Sequence, residues 1–193
     1  MATTVTTATA TPAAAPGTRS IWTIDPAHTG VEFAVRHLMI SSVKGRFAGV
    51  AGTVTTGDDL TTAEVDITID AASIDTREAQ RDAHLRSADF LDVETFPTLT
   101  FKSRTVEHVG GDEYKLVGDL TIHGVTRQVA LDVTSFGTLL DPWGNEKAGF
   151  NASTKIKRSD YGLVWNVALE AGGVVVGDEV KISIETELTK QKA

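Results

Sequence analysis

The sequence contains no cysteine, so disulfides, thiolate nucleophiles and cysteine-based zinc or iron–sulfur sites are excluded. It also lacks any apolar run long enough to cross a bilayer as a helix. Basic residues number 18 against 26 acidic ones, which gives a formal net charge of -8. This balance disfavours nucleic acids and anionic membrane surfaces as partners, because basic patches dominate affinity for both.

Signatures of several enzyme classes are missing as well. The sequence has no GxSxG nucleophile elbow, no GxGxxG or P-loop glycine motif, and no HExxH metal motif. The histidines His28, His37, His84, His108 and His123 are not spaced as a close set of metal ligands. The sequence therefore predicts no metal site, no resident cofactor and no recognisable catalytic centre.

The first 18 residues are dominated by Thr, Ala and Pro, and no charged residue precedes Arg19. Such a composition cannot bury enough apolar surface to fold, so we predict a disordered tail followed by a single domain over residues 19–190. The tail also lacks the basic start and apolar core of a normal signal peptide. A cytoplasmic location is therefore expected.

The rest of the chain is dominated by strand patterns. In residues 63–70, AEVDITID, the apolar residues Val65, Ile67 and Ile69 alternate with polar ones, as in a sheet with one wet face. Tight turns such as His123-Gly124 join about eight long strands, which means antiparallel pairing. Full closure removes the unpaired edges of such a sheet. We therefore predict an all-β fold built on an extended eight-stranded antiparallel barrel.

One segment, Ala71–Pro97, breaks this pattern and contains the only convincing helix signal. Asp75 is a candidate N-cap, with Glu78 three residues on as its capping-box partner. The residues that follow favour helix, but a helix this short and polar is marginal alone. Because a connection of this length between strands is usually functional, we predict a short helical segment that caps one mouth of the barrel.

Several segments together resemble the YceI-like family of bacterial lipocalin-like proteins, over about residues 20–189. The specific part of the resemblance lies in the stretches RDAHLRSADFLDVETFPTLTF and GDLTIHGVT. Further support comes from the segments WTIDPAHTGVEFAVRHL, VKGRFAGVAGTV and IKRSDYGL. One departure is His28-Thr29, where the family often has His-Ser; another is the missing export signal, since many relatives are exported.

The resemblance implies an extended lipocalin-like barrel that holds a polyisoprenoid, an isoprenoid quinone or a fatty-acid-like amphiphile, often as a homodimer. Strands of about 10–12 residues would make a barrel roughly 25–30 Å tall, which suits a long, thin, apolar ligand. The predicted ligand-binding residues on the inward faces of the strands are Phe33, Val35, Val65, Ile67, Leu99, Phe101, Leu120, Val133 and Ile182.

His37 and His84 complete the predicted ligand-binding set. His37 lies on the inward alternation of its strand, where it contacts a ligand head group or, as the favoured alternative, is a hydrogen-bonded barrel histidine. His84 is expected mainly to fix the helical cap to the barrel rim.

The charged residues near the barrel mouth and at the end of one strand have two interpretations each. Arg81 and Arg86 either bind a polar head at the mouth or, as the favoured alternative, form salt bridges with Asp82 and Asp89. The basic cluster of Lys155, Lys157 and Arg158 is either a solvated strand end or a second head-group contact. The three tryptophans, Trp22, Trp143 and Trp165, are expected to be packing residues.

The favoured hypothesis is non-catalytic binding, storage or transport of a long apolar amphiphile in the lumen. Two alternatives stay open: a lipid-directed enzyme that uses His37 or His84 as a base, and a ligand-free dimeric interaction module. The expected partners are an apolar small molecule and a second copy of the chain, with no nucleic acid and no stable membrane insertion.

Overall fold

The computed structural model describes residues 19–168 and 174–192; the predicted tail over residues 1–18 lies outside this range. Within it, one helix, α1, covers Ala79–Arg86. The strands are β1 Ser20–Ile24, β2 Gly30–His37, β3 Ser41–Phe47, β4 Val50–Thr56, β5 Glu64–Asp70, β6 Ile74–Asp75, β7 Thr98–Gly110, β8 Glu113–Ile122, β9 Val125–Leu140, β10 Glu146–Lys157 and β11 Val176–Lys190.

These strands form one closed antiparallel barrel. The sheet order is β1-β4-β5-β7-β8-β9-β10-β11, and β1 closes the ring by pairing with β11. Strands β2, β3 and β6 continue β1, β4 and β5 along the barrel axis, because β2 also pairs with β11 and β3 pairs with both β2 and β6. The predicted eight-stranded antiparallel barrel with one short helix is confirmed.

The interruptions within these long strands occur at turns and glycines. Asp25-Pro26 ends β1, and a short 3-10 turn over Pro26–His28 separates it from β2. Gly49 lies in the break between β3 and β4. Gly52 is required in β4, because a Cβ atom there would collide with the backbone oxygen of Asp66 on β5.

The two ends of the barrel differ. At the helix end lie α1, the β2–β3 turn, the β8–β9 turn and a 3-10 turn over Arg158–Tyr161. At the turn end lie the short connections β4–β5, β7–β8 and β9–β10. No helix within residues 19–168 and 174–192 is both long and apolar enough to cross a membrane.

The N-cap of α1 is Glu78 and not Asp75, so this prediction was wrong. The Glu78 carboxylate accepts hydrogen bonds from the backbone N–H groups of Gln80, at 3.1 Å, and Arg81. Asp75 instead accepts from the N–H of Arg77, at 2.8 Å. Arg77 has a left-handed φ of 63°, which turns the chain before the helix begins.

Candidate functional site

The barrel interior is a cavity of about 630 Å³. That volume is within the range of small-molecule sites in proteins. Its wall is overwhelmingly aliphatic and aromatic. The structure places all the sequence-predicted ligand residues on this wall: Phe33, Val35, His37, Val65, Ile67, His84, Leu99, Phe101, Leu120, Val133 and Ile182. That these residues contact a ligand stays a prediction.

The inward faces follow directly from strand geometry. Side chains alternate across a strand, so Val31, Phe33 and Val35 of β2 and Val65, Ile67 and Ile69 of β5 turn to the lumen, while Glu64 and Asp66 face outward. Large rings do not fill the space, since Phe33 and Phe101 pack at the wall beside glycines. Gly45 approaches the ring of Phe33, and Gly118 that of Phe101.

Sequence reasoning missed part of the lining. Val180 and Ile184 flank Ile182 at the same spacing of two and could have been found from the alternation alone. The same holds for the lining residues Tyr114, Leu116, Phe150, Ala152 and Ile156 on β8 and β10. Phe90, Leu91 and Trp165 come from irregular segments, where no periodic signal exists.

At the helix end, His84 connects the helical cap to the segment after β10. Its ring lies edge-on to Trp165, with centroids 4.8 Å apart, and edge-on to Phe90, at 5.0 Å. His84 Nε2 is 2.9 Å from a carboxylate oxygen of Asp89. His84 therefore lines the lumen and also joins the helical cap to the segment after β10 at the same end of the barrel.

Arg81 and Arg86 do not form the predicted salt bridges. Arg86 donates from Nε to the backbone oxygen of Ala72 at 2.8 Å and from Nη2 to that of Ile74 at 2.6 Å. Arg81 donates to the hydroxyl and the backbone oxygen of Thr76, at 2.7 and 2.8 Å. Both guanidinium groups satisfy carbonyls of the irregular connection, which would otherwise lack partners.

Arg158 is buried, with 6% of its surface exposed, although its neighbours Lys155 and Lys157 are exposed. It donates to the backbone oxygens of Leu163, Trp165, Val176 and Gly177. Burial lowers the pKa of Arg158 below its usual range. The predicted solvated basic cluster is therefore wrong for this residue, which ties the segment after β10 to the start of β11.

The tryptophans have three different environments. Trp22 is buried, and Trp165 lines the lumen. Trp143 is 81% exposed, so the prediction that it packs is wrong. It lies in the β9–β10 turn, where its backbone N–H donates to Asp141.

Asp25, His28 and Glu187 place three potential ligand atoms within 4.8 Å of one another. Lys147 already supplies a cation there, because its Nζ donates to Asp25 at 2.9 Å and to Glu187 at 2.7 Å. The bonds from Lys147 and His28 lower the pKa of Asp25 to about 2. The hydrogen bonds to Glu187 and then to Asp25 raise the pKa of Lys147. This ion cluster joins β1, β10 and β11 on the outside of the barrel.

Comparison with known proteins agrees with this geometry. The chain is 40% identical over 166 residues to the YceI protein of Salmonella newport, covering 86% of this chain and 83% of that one. It is 38% identical over 173 residues to a UPF0312 protein of Staphylococcus aureus, covering 87% of this chain and 96% of that one.

Solved structures show the same fold. The Campylobacter jejuni YceI protein superposes with a TM-score of 0.69 at 31% identity, over 81% of this chain and 90% of that one. A polyisoprenoid-binding domain from Saccharophagus degradans superposes with a TM-score of 0.65 at 16% identity, over 88% of this chain and 98% of that one. The model of the YceI-like domain matches residues 22–188. The chain therefore belongs to the YceI-like family.

Proposed function

We propose that the protein binds a long apolar amphiphile in its lumen without chemistry and serves in its storage or transport. The observation that carries this proposal is the apolar cavity of about 630 Å³ inside the closed barrel. Burying an aliphatic chain there would yield about 0.8 kcal/mol per methylene group, so affinity would be set by how much chain fits inside. A polyisoprenoid, an isoprenoid quinone and a fatty-acid-like lipid all meet this requirement.

One structural neighbour is consistent with the same class of ligand. The Saccharophagus degradans domain has the same fold and is described as binding a polyisoprenoid, although identity at that level establishes the fold alone. The homodimer that the family resemblance implies, and the cytoplasmic location expected from the sequence, stay predictions.

The test is a titration with a fluorescent polyene lipid, compared between two variants of β10. Ala152 faces the lumen and Ser153, its neighbour, faces outward. Ala152→Trp places a large ring in the cavity and should weaken binding at least roughly tenfold, since it displaces two or more buried methylene groups. Ser153→Trp adds the same ring outside and should leave binding unchanged.

Native mass spectrometry of the purified protein complements the titration, because it reports bound lipid and subunit number together. Equal binding by wild type and both variants, with a lipid-free mass, would refute the lumen as the binding site. A lipid-free dimer would instead favour the interaction module.

A further inference from the structure

The barrel wall opens between β9 and β10 near the helix end. The two strands pair from Leu140 and Glu146 as far as Asp132 and Ser153, and the register does not continue beyond that point. The Thr154 hydroxyl donates to the backbone oxygen of Ala130 at 2.8 Å, where the strands diverge. The rest of β9 pairs only with β8, and the rest of β10 only with β11, within the described residues.

Tyr161 occupies this gap. The 3-10 turn after β10 brings its ring between the two strands, where only 1% of the residue is exposed. The hydroxyl has no hydrogen-bond partner among the described residues, an arrangement that costs free energy for a buried polar group. Burial raises the pKa of Tyr161 to about 12, and Asp160 adds to the rise while Arg127 opposes it.

A surface depression of about 460 Å³ lies over the gap. It shares Val129, Thr154 and Ile156 with the lumen, so these side chains line both spaces. The outer lining is mixed, unlike that of the lumen. Its remaining members are Ala130 and the polar residues Arg127, Gln128, Lys155, Lys157, Asp160, Tyr161 and Glu179.

The charge of this lining favours an anion. Lys155 is paired with Glu179, at 3.6 Å. Arg127 makes one long hydrogen bond, from Nη1 to the backbone oxygen of Thr126 at 3.4 Å. Among the described residues, neither Arg127 nor Lys157 forms an ion pair, which leaves two cations in the lining against the single carboxylate of Asp160. This excess is local, since the chain as a whole carries a net charge of -8. Asp178 lies outside the lining, where the charge of Lys157 contributes to lowering its pKa.

We propose that this seam site, formed by Arg127 and Lys157 over the ring of Tyr161, binds the carboxylate or phosphate head of an amphiphile whose chain enters the lumen past Val129 and Ile156 when the Tyr161 ring moves aside. The chain part rests on the proposed function, whereas the head-group part rests on the seam alone. Arg127 presents a planar pair of donors that matches either anion. The Tyr161 hydroxyl is enclosed, so it reaches such an anion only after the ring has moved, and there it gains the acceptor that it lacks.

A fluorescent C18 polyene fatty acid and its methyl ester test the proposal, because they differ only in the charge of the head. Arg127→Gln should weaken binding of the acid roughly tenfold and leave binding of the ester unchanged. The matched control is Arg104→Gln, on the neighbouring outer wall, where Arg104 pairs with Asp119 at 2.8 Å. Tyr161→Phe keeps the ring in the gap and should weaken the acid severalfold, with an unchanged melting temperature or a higher one.

A second probe, inorganic pyrophosphate, tests whether the site binds a free anion. Its binding is followed by the NMR chemical shifts of the backbone amides of Arg127 and Tyr161. Shift changes that pyrophosphate causes and Arg127→Gln abolishes would support the seam site, even if the wild type binds neither lipid. Failure to bind either lipid would refute the lumen proposal alone. The seam proposal is overturned if Arg127→Gln leaves acid binding unchanged and pyrophosphate moves neither amide. It is overturned equally if acid and ester lose affinity together.

Discussion

The two ends of the barrel are built in different ways. At the helix end, irregular segments cross the rim and are held by buried or half-buried polar groups, with Arg86 and Arg158 donating to backbone carbonyls. At the turn end, short connections join the strands directly. Large apolar side chains are exposed at both ends of the barrel, including Met39 and Ile40 in the β2–β3 turn at the helix end. The exposed ones on the β9–β10 hairpin are Phe136, Leu139, Leu140 and Trp143.

The two ends therefore satisfy their backbone hydrogen-bonding groups in different ways. A tight hairpin satisfies its backbone through the ladder itself, so its side chains are free to vary. A long irregular connection leaves carbonyl and N–H groups without ladder partners, and side chains must supply them. Substitutions of the same kind should therefore cost more at the helix end, and the predictions below test this in decreasing order of effect.

The largest effect is expected for Arg158→Met. The substitution removes the donors for four backbone oxygens, including those of Leu163 and Val176, and leaves them buried without partners. We expect the free energy of unfolding to fall by about 3–5 kcal/mol, measured by urea denaturation.

The control for this substitution is Arg104→Met, which breaks an exposed ion pair with Asp119 and should cost no more than about 1 kcal/mol. If both variants lost the same stability, the buried arginine would have no special role at the helix end.

A second comparison makes one substitution at both ends. Trp165→Ala removes a ring that packs on His84 and Phe90, with centroids 4.8 and 5.3 Å away, and should cost about 2–3 kcal/mol in thermal or urea unfolding. Trp143→Ala removes a ring that is 81% exposed and should change stability by less than about 0.5 kcal/mol. A reversed order would show that the turn end contributes packing through a contact outside the single chain.

The difference between regular strands and irregular connections also explains which features could be predicted from the sequence. Strand alternation has a period of two whatever the partner, so every predicted lumen residue, from Phe33 to Ile182, lies on the cavity wall. The His123-Gly124 turn was also predicted, and its φ values of 51° and 72° are those of a type I′ hairpin.

Tertiary contacts of the irregular segments were not predictable in this way. The burial of Arg158 depends on carbonyls of residues 163 to 177, which no local pattern brings together. Asp75 satisfies the sequence criteria for an N-cap, but the left-handed Arg77 moves the start of α1 to the residue after Glu78. The seam between β9 and β10 was likewise unpredictable, because each strand keeps its alternation where the pairing ends.

The smallest effect is expected from pH, acting on the cluster of Asp25, Lys147 and Glu187. The pKa of Asp25 is lowered from 3.8 to about 2 in the folded protein, chiefly by the hydrogen bond from Lys147 and then by that from His28. The stabilisation is therefore full above the unfolded value and is lost as the pH falls through the folded one. We expect roughly 1 kcal/mol after solvent screening, seen as a loss of unfolding free energy between about pH 4 and pH 2.

Asp25→Asn sharpens this comparison. The amide keeps the size of the side chain but cannot titrate, so the variant should be less stable at neutral pH and should lose less stability than wild type on acidification. Lys147→Met should reduce the same slope, because it removes the main cause of the shift. Identical slopes in wild type and Asp25→Asn would mean that other carboxylates dominate the acid response, and that the cluster does not fasten β1 and β10 to β11.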